Sequence, residues 1–126
     1  MTTHVVLEAI DPDRPCTQSK HVIEDAIRGA CGFDGLLMTD DLSMHALVGD
    51  FTQRTERALG AGCDVVLHCN GDMDEMMAVA NGARALSADG QRRADAALAV
   101  RPAENSDAEG EEAAFAALLK PTGWAA

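Results

Sequence analysis

A chain of 126 residues holds one modest domain, and a composition that is 47% hydrophobic but only 3% aromatic leaves Ala, Leu and Val to fill its core. The net charge of −11, with Lys20 and Lys120 as the only lysines, argues against nucleic acid and against an anionic membrane surface as partners. No apolar run approaches the roughly 20 residues that span a bilayer. Residues 1–6 lack the basic-then-apolar order of a secretory signal. Cys16, Cys31, Cys63 and Cys69 show no CxxC spacing, so the expectation is a cytoplasmic protein with reduced thiols and no metal or other cofactor.

In chain order, residues 2–8 carry the β-branched Thr3, Val5 and Val6 and predict a first strand. Residues 10–19 contain Pro12 and Pro15 and read as a loop. Ser19 then caps a helix over residues 20–31, with Val22, Ile23, Ala26, Ile27 and Ala30 on its buried face, His21 on its surface and Gly32 as its stop. Residues 35–38 are an unbroken apolar run, the mark of a parallel strand buried on both faces, and give a second strand that ends in Asp40 and Asp41. After a loop over residues 40–49, a helix over residues 51–61 exposes Arg54, Glu56 and Arg57 and is stopped by Gly60 and Gly62. Residues 64–69 form a third strand centred on Val65, Val66 and Leu67. His68 and Cys69 are adjacent there, face opposite ways and do not share a metal. A helix over residues 72–85 places Met73, Met76 and Met77 as core filler, and another spans residues 87–100 in spite of Gly90. Residues 101–126 form an acidic, poorly ordered tail with one short helix over residues 113–119.

Strands alternating with helices predict an α/β fold with three parallel strands and right-handed crossovers. Three parallel strands leave two unpaired edges, so self-association through those edges is expected. In such folds chemistry sits at the carboxyl end of the strands. Asp40 is therefore a candidate nucleophile, base or metal ligand, and the alternative is that Asp40 and Asp41 cap the following segment. As a small phosphoacceptor or regulatory domain, the chain would use Asp40 and Asp41 to bind Mg²⁺. That role calls for a Lys at a later strand end, where this sequence has His68-Cys69-Asn70 instead. No Gly-rich phosphate loop is present. A non-catalytic interaction fragment is the third reading.

Residues 1–5, then Ile10-Asp11-Pro12-Asp13-Arg14-Pro15, Gly32-Phe33-Asp34-Gly35-Leu36-Leu37-Met38-Thr39-Asp40-Asp41-Leu42-Ser43-Met44, and Ala61-Gly62-Cys63-Asp64-Val65-Val66-Leu67-His68-Cys69-Asn70 follow a familiar order. They resemble the C-terminal part of the catalytic barrel of bacterial β-N-acetylhexosaminidases of glycoside hydrolase family 3, the cytoplasmic enzymes of peptidoglycan recycling. The resemblance covers residues 1–70 closely and the helices to residue 100 loosely. It implies the C-terminal portion of a (β/α)₈ TIM-type barrel, with the three strands as its sixth, seventh and eighth. It also implies that Asp40 is the nucleophile of a retaining hydrolase acting on terminal β-linked N-acetylglucosamine of peptidoglycan fragments. Met44 would border the leaving-group side or pack in the core, and His45 would approach the mouth of the site. The family's acid/base His and its sugar-gripping Arg, Lys and His come from earlier strands, and no motif assigns His4, His21, His45 or His68 to those roles. The expectation is that this chain by itself is inactive. Three strands of eight cannot build the layered interior of a closed barrel, so the chain alone is expected to be either marginally folded or associated with a partner segment.

Overall fold

The structure is a computed structural model that describes residues 1–101 and 108–118; of the acidic tail expected over residues 101–126, residues 102–107 and 119–126 lie outside them. Its centre is a parallel strand pair, β3 (Met38–Asp41) and β4 (Val65–Leu67), joined by the helix α1 (Phe51–Ala61). Parallel strands require such a crossover. The apolar run before Met38 does not itself enter the ladder. Leu37 gives its N–H to the Asp64 carboxylate at 2.8 Å, and its carbonyl accepts from the Asp64 and Val65 amides. The strand therefore starts later than residue 35 and holds both aspartates as its last two residues.

The expected first strand and the loop after it are replaced by an antiparallel hairpin, β1 (Val6–Leu7) with β2 (Asp11–Pro15), followed by a short 3-10 turn, Cys16–Gln18. Thr2 does donate its N–H to the Met38 carbonyl at 2.8 Å, so the N-terminus runs beside β3. The returning chain then captures the segment: Cys16 N–H donates to the Val5 carbonyl and Thr17 N–H to the Thr3 carbonyl, at 2.9 and 3.2 Å. Those carbonyls are spent on the 3-10 turn rather than on a third parallel strand. Pro12 and Pro15 are tolerated because they lie in an edge hairpin.

Ser19 starts the next helix as expected, its hydroxyl accepting from the Val22 N–H at 3.2 Å. The helix Val22–Ala30 is wound as a π-helix, with the Cys31 N–H reaching back to the Ala26 carbonyl at 2.8 Å. The wider winding turns less per residue, so Val22 and Ile23 are buried while Ala30 leaves the buried face and is exposed. Ile23 packs with Leu37, Ala61 and Cys63, and Ile27 flanks them. Gly62 ends α1 at φ +117°, and a Cβ on it would stand 3.0 Å from the Ile23 side chain, so this position is glycine for both backbone and packing.

Asp50 caps α1, accepting from the Gln53 N–H at 2.8 Å, and Asp72 caps α2 (Met73–Gly82) in the same way. The contact of α2 with α1 corrects the sequence expectation for the methionines. The backbones meet at Gly82, where a Cβ would fall 2.5 Å from the Thr52 carbonyl oxygen, and Thr52 donates its hydroxyl to the Ala78 carbonyl. Because small residues make that contact, Met73, Met76 and Met77 are turned outward and exposed. The helix α3 (Ala88–Ala99) is capped by Ser87 and buries only Gly90. The helix α4 (Ala108–Leu118) begins five residues earlier than the sequence suggested, since the Ala- and Glu-rich run before residue 113 favours helix over linker. No helix among the described residues is long and apolar enough to cross a membrane.

Cys16 and Cys63 are buried, whereas Cys31 and Cys69 are exposed. Burial pushes the Cys63 thiol up to about 11 from an ordinary 9, and its Sγ lies 3.8 Å from the Thr17 carbonyl, to which it donates. A thiol raised in this way favours the folded state below about pH 9, and that contribution fades as pH rises toward 11. Alkylation at pH 8, followed by peptide mass spectrometry, is expected to modify Cys31 and Cys69 rapidly, and Cys16 and Cys63 only after urea is added. Equal rates at all four would contradict this packing.

Candidate active site

Asp40 is the third residue of β3. Leu37 and Thr39 are buried, Leu37 against the Ile23, Ala61 and Cys63 cluster, while Met38 and Asp40 are half-buried. The pairing of β3 with β4 shifts register between Met38 and Asp41, and Asp40, inside that stretch, keeps part of its surface open to solvent. Its carboxylate accepts from the Asp41 N–H at 2.9 Å through Oδ1. Among the described residues its other oxygen takes no hydrogen bond. A carboxylate held on one side and open on the other has an oxygen available to attack.

Asp41 has the opposite character. Its Oδ1 accepts from the Ser43 N–H at 3.0 Å and from the Cys69 N–H at 3.2 Å, and its Oδ2 accepts from the Ser43 hydroxyl. These bonds, the Ser43 hydroxyl first, hold its carboxyl below the usual range. Asp41 thus builds the turn after β3 and ties it to the end of β4, as a capping and orienting neighbour. With its oxygens spent in this way it is poorly placed to share a cation with Asp40. Among the described residues, no three or more of His, Cys, Asp and Glu are grouped to hold a metal ion.

Met44 is 44% exposed, so the core-packing alternative does not hold for it. It follows the Asp41 turn, and its carbonyl accepts a long 3.4 Å bond from Arg54, which binds the Leu42 carbonyl at 2.7 Å. His45 is exposed beside it, and His21 is a surface residue 3.2 Å from Asp25. Two clefts of about 520 and 470 Å³ open elsewhere, one between the β2 region and α1 and one between α1 and α3, and Asp40 lines neither.

Two histidines at this strand end carry no sequence signal for such a position. The His68 side chain is only 6% exposed and lies edge-on to Phe51, with ring centres 5.0 Å apart. Its Nδ1 is 3.9 Å from Asp41 Oδ1 and its Nε2 3.2 Å from Glu75 Oε2, yet neither nitrogen is aligned for a hydrogen bond. The contacts are close approaches without a hydrogen bond, and Glu75 Oε2 accepts from Asn70 at 3.0 Å. His4 is buried and bonded on both ring nitrogens, to Thr17 and to the Asp41 carbonyl. Both arrive from segments distant in sequence.

Residues 1–100 match the family described as Glycosyl hydrolase family 3 N terminal domain. A protein named Beta-hexosaminidase from Aromatoleum aromaticum is 44% identical over 72 residues, which are 56% of this chain and 20% of that protein. One of the same name from Pseudomonas aeruginosa is 40% identical over 82 residues, 64% of this chain and 24% of its own length. The chain therefore spans between a fifth and a quarter of these curated relatives. A solved β-N-acetylhexosaminidase from Beutenbergia cavernae superposes with a TM-score of 0.58 at 30% identity, covering 79% of this chain and 33% of that one. The α/β fold is shared with that structure.

Proposed function

The chain belongs to glycosyl hydrolase family 3, and from that premise we propose that it is the nucleophile-bearing, C-terminal part of a (β/α)₈ barrel of a retaining β-N-acetylhexosaminidase. The observation that carries the reading is Asp40, a half-buried carboxylate at the end of a parallel strand with one oxygen free of hydrogen bonds among the described residues. Asp40 attacks the anomeric carbon of a terminal β-linked N-acetylglucosamine. The new C–O bond forms a glycosyl ester as the bond to the aglycone oxygen breaks and its electron pair leaves with the aglycone. Water then cleaves the ester, freeing the sugar and restoring the carboxylate. Peptidoglycan fragments in the cytoplasm are the substrates in this reading, with Met44 beside the leaving group.

An ordinary aglycone leaves as an alkoxide and needs a proton, which the single hydrogen bond shown at the Asp40 carboxylate, from the Asp41 N–H, does not supply. A dinitrophenolate needs none. Incubating the chain with dinitrophenyl β-N-acetylglucosaminide should therefore esterify it, and peptide mass spectrometry should find the sugar on the peptide holding Asp40. A sugar on any other residue would overturn the assignment.

The same reading supplies the expected partner. The exposed Val5, Val6, Leu7 and Ile10 around the β1 edge favour association with a second strand-bearing segment, here another copy of this chain. Sedimentation velocity should show a concentration-dependent dimer; a monomer with a sharp cooperative melt would remove the proposal.

A further inference from the structure

The ladder beneath the candidate nucleophile is irregular. Met38 pairs with Val65 and Asp41 with Leu67, so three steps along β3 match two along β4 and one residue is extra. Such bulges re-aim side chains and leave backbone groups without ladder partners. Here the Leu67 N–H donates to the Thr39 hydroxyl at 2.9 Å, a side chain on the facing strand. The backbone around Asp40 needs other restraints.

His4 supplies one from outside the ladder. Its buried imidazole sets Nε2 at 2.9 Å from the Asp41 carbonyl oxygen. A carbonyl can only accept, so Nε2 carries a hydrogen and donates it. Nδ1 lies 2.8 Å from the Thr17 hydroxyl, which is itself tied to the Thr3 carbonyl at 3.0 Å and the Thr2 hydroxyl at 2.9 Å. The ring is thereby fixed in orientation. From the other side, the Cys69 N–H holds the Asp41 carboxylate. Asp41 is gripped at its carbonyl and at its side chain, and its N–H is the donor to Asp40 Oδ1.

We propose that His4 is a positioning residue: by holding the carbonyl of Asp41 it restrains the residue whose own N–H, in the preceding peptide, aims the Asp40 carboxylate. The catalytic consequence rests on the nucleophile reading above, while the geometric claim does not. His4→Gln and His4→Asn separate the role from general packing, because Gln can bring an amide N–H to the place of Nε2 and Asn reaches only to that of Nδ1. Both keep a small polar side chain in the site, and circular dichroism checks that both fold.

The readouts are hydrogen exchange of the Asp41 amide, the carboxyl ¹³C shift of Asp40 and the rate of labelling by the dinitrophenyl donor. His4→Gln should stay within about threefold of the parent in exchange and labelling. His4→Asn should exchange about tenfold faster, the loss of one hydrogen bond, move the Asp40 shift and label about tenfold more slowly. Equal behaviour of Gln and Asn would overturn the proposal, as would an Asn variant matching the parent. If the parent takes no label, the glycosidase reading fails separately, and the exchange and shift data still decide for or against His4.

Discussion

Asp40→Ala is expected to abolish formation of the glycosyl ester from dinitrophenyl β-N-acetylglucosaminide, a loss on the order of 10⁴-fold or more, as when other covalent catalysts lose their nucleophile. Asp40→Asn should lose as much while disturbing less, because the amide oxygen can still accept from the Asp41 N–H that now binds Oδ1. The adjacent carboxylate provides the control. Asp41 makes its contacts as an acceptor, to Ser43 and Cys69, and an Asn there preserves one acceptor oxygen. Asp41→Asn should slow labelling but keep the sugar on Asp40. Mass spectrometry of the labelled peptides settles the order of the two, and a label surviving Asp40→Ala would refute the assignment.

Asp64→Ala should destabilise the fold by about 3–5 kcal/mol, the usual cost of removing one partner from a buried ion pair. The Asp64 side chain is only 6% exposed and joins three segments. Its Oδ2 accepts from Arg28 of the π-helix and from the Leu37 N–H, both at 2.8 Å, and its Oδ1 from Arg93 of α3 at 3.1 Å. Without it, two guanidinium groups each lose one of their acceptors and a backbone N–H loses its carboxylate, in one step. Domains are commonly stable by only about 5–15 kcal/mol, so the variant should unfold at much lower urea concentration. Asp95→Ala, on the exposed face of α3, should change the midpoint little. Similar midpoints for the two variants would show that the Asp64 junction contributes nothing.

The helices were legible because their signals are local. Ser19, Gly62 and the 51–61 span can be read from a few neighbouring residues, and α1 forms over those residues. The place of Asp40 at a strand end was legible too, since an apolar run followed by carboxylates is a contiguous pattern. The hairpin was not, because Pro12 and Pro15 read as loop, and only the capture of the Thr3 and Val5 carbonyls by the returning chain decides its course. The outward methionines of α2 depend on how closely Gly82 lets that helix approach Thr52. His4 and Asp41 are 37 residues apart, and nothing in the sequence marks a bond between a ring nitrogen and a backbone carbonyl.

The way α3 is attached has its own consequence. It buries no large apolar side chain, and Arg92 and Arg93 hold it to Asp34 and Asp64. The hydrogen bonds from Arg92 and Arg93 hold the Asp34 carboxyl down to about 2. That latch is complete above the ordinary carboxylate pKa of about 4 and is lost as pH falls through about 2. The Arg92–Asp34 pair is exposed and yields to salt, whereas Arg93–Asp64 is largely covered and resists it. The helix is therefore fastened by charge rather than by packing, through an outer attachment that rising ionic strength weakens and an inner one that it leaves in place, which makes it the segment expected to open first as its own subglobal unit.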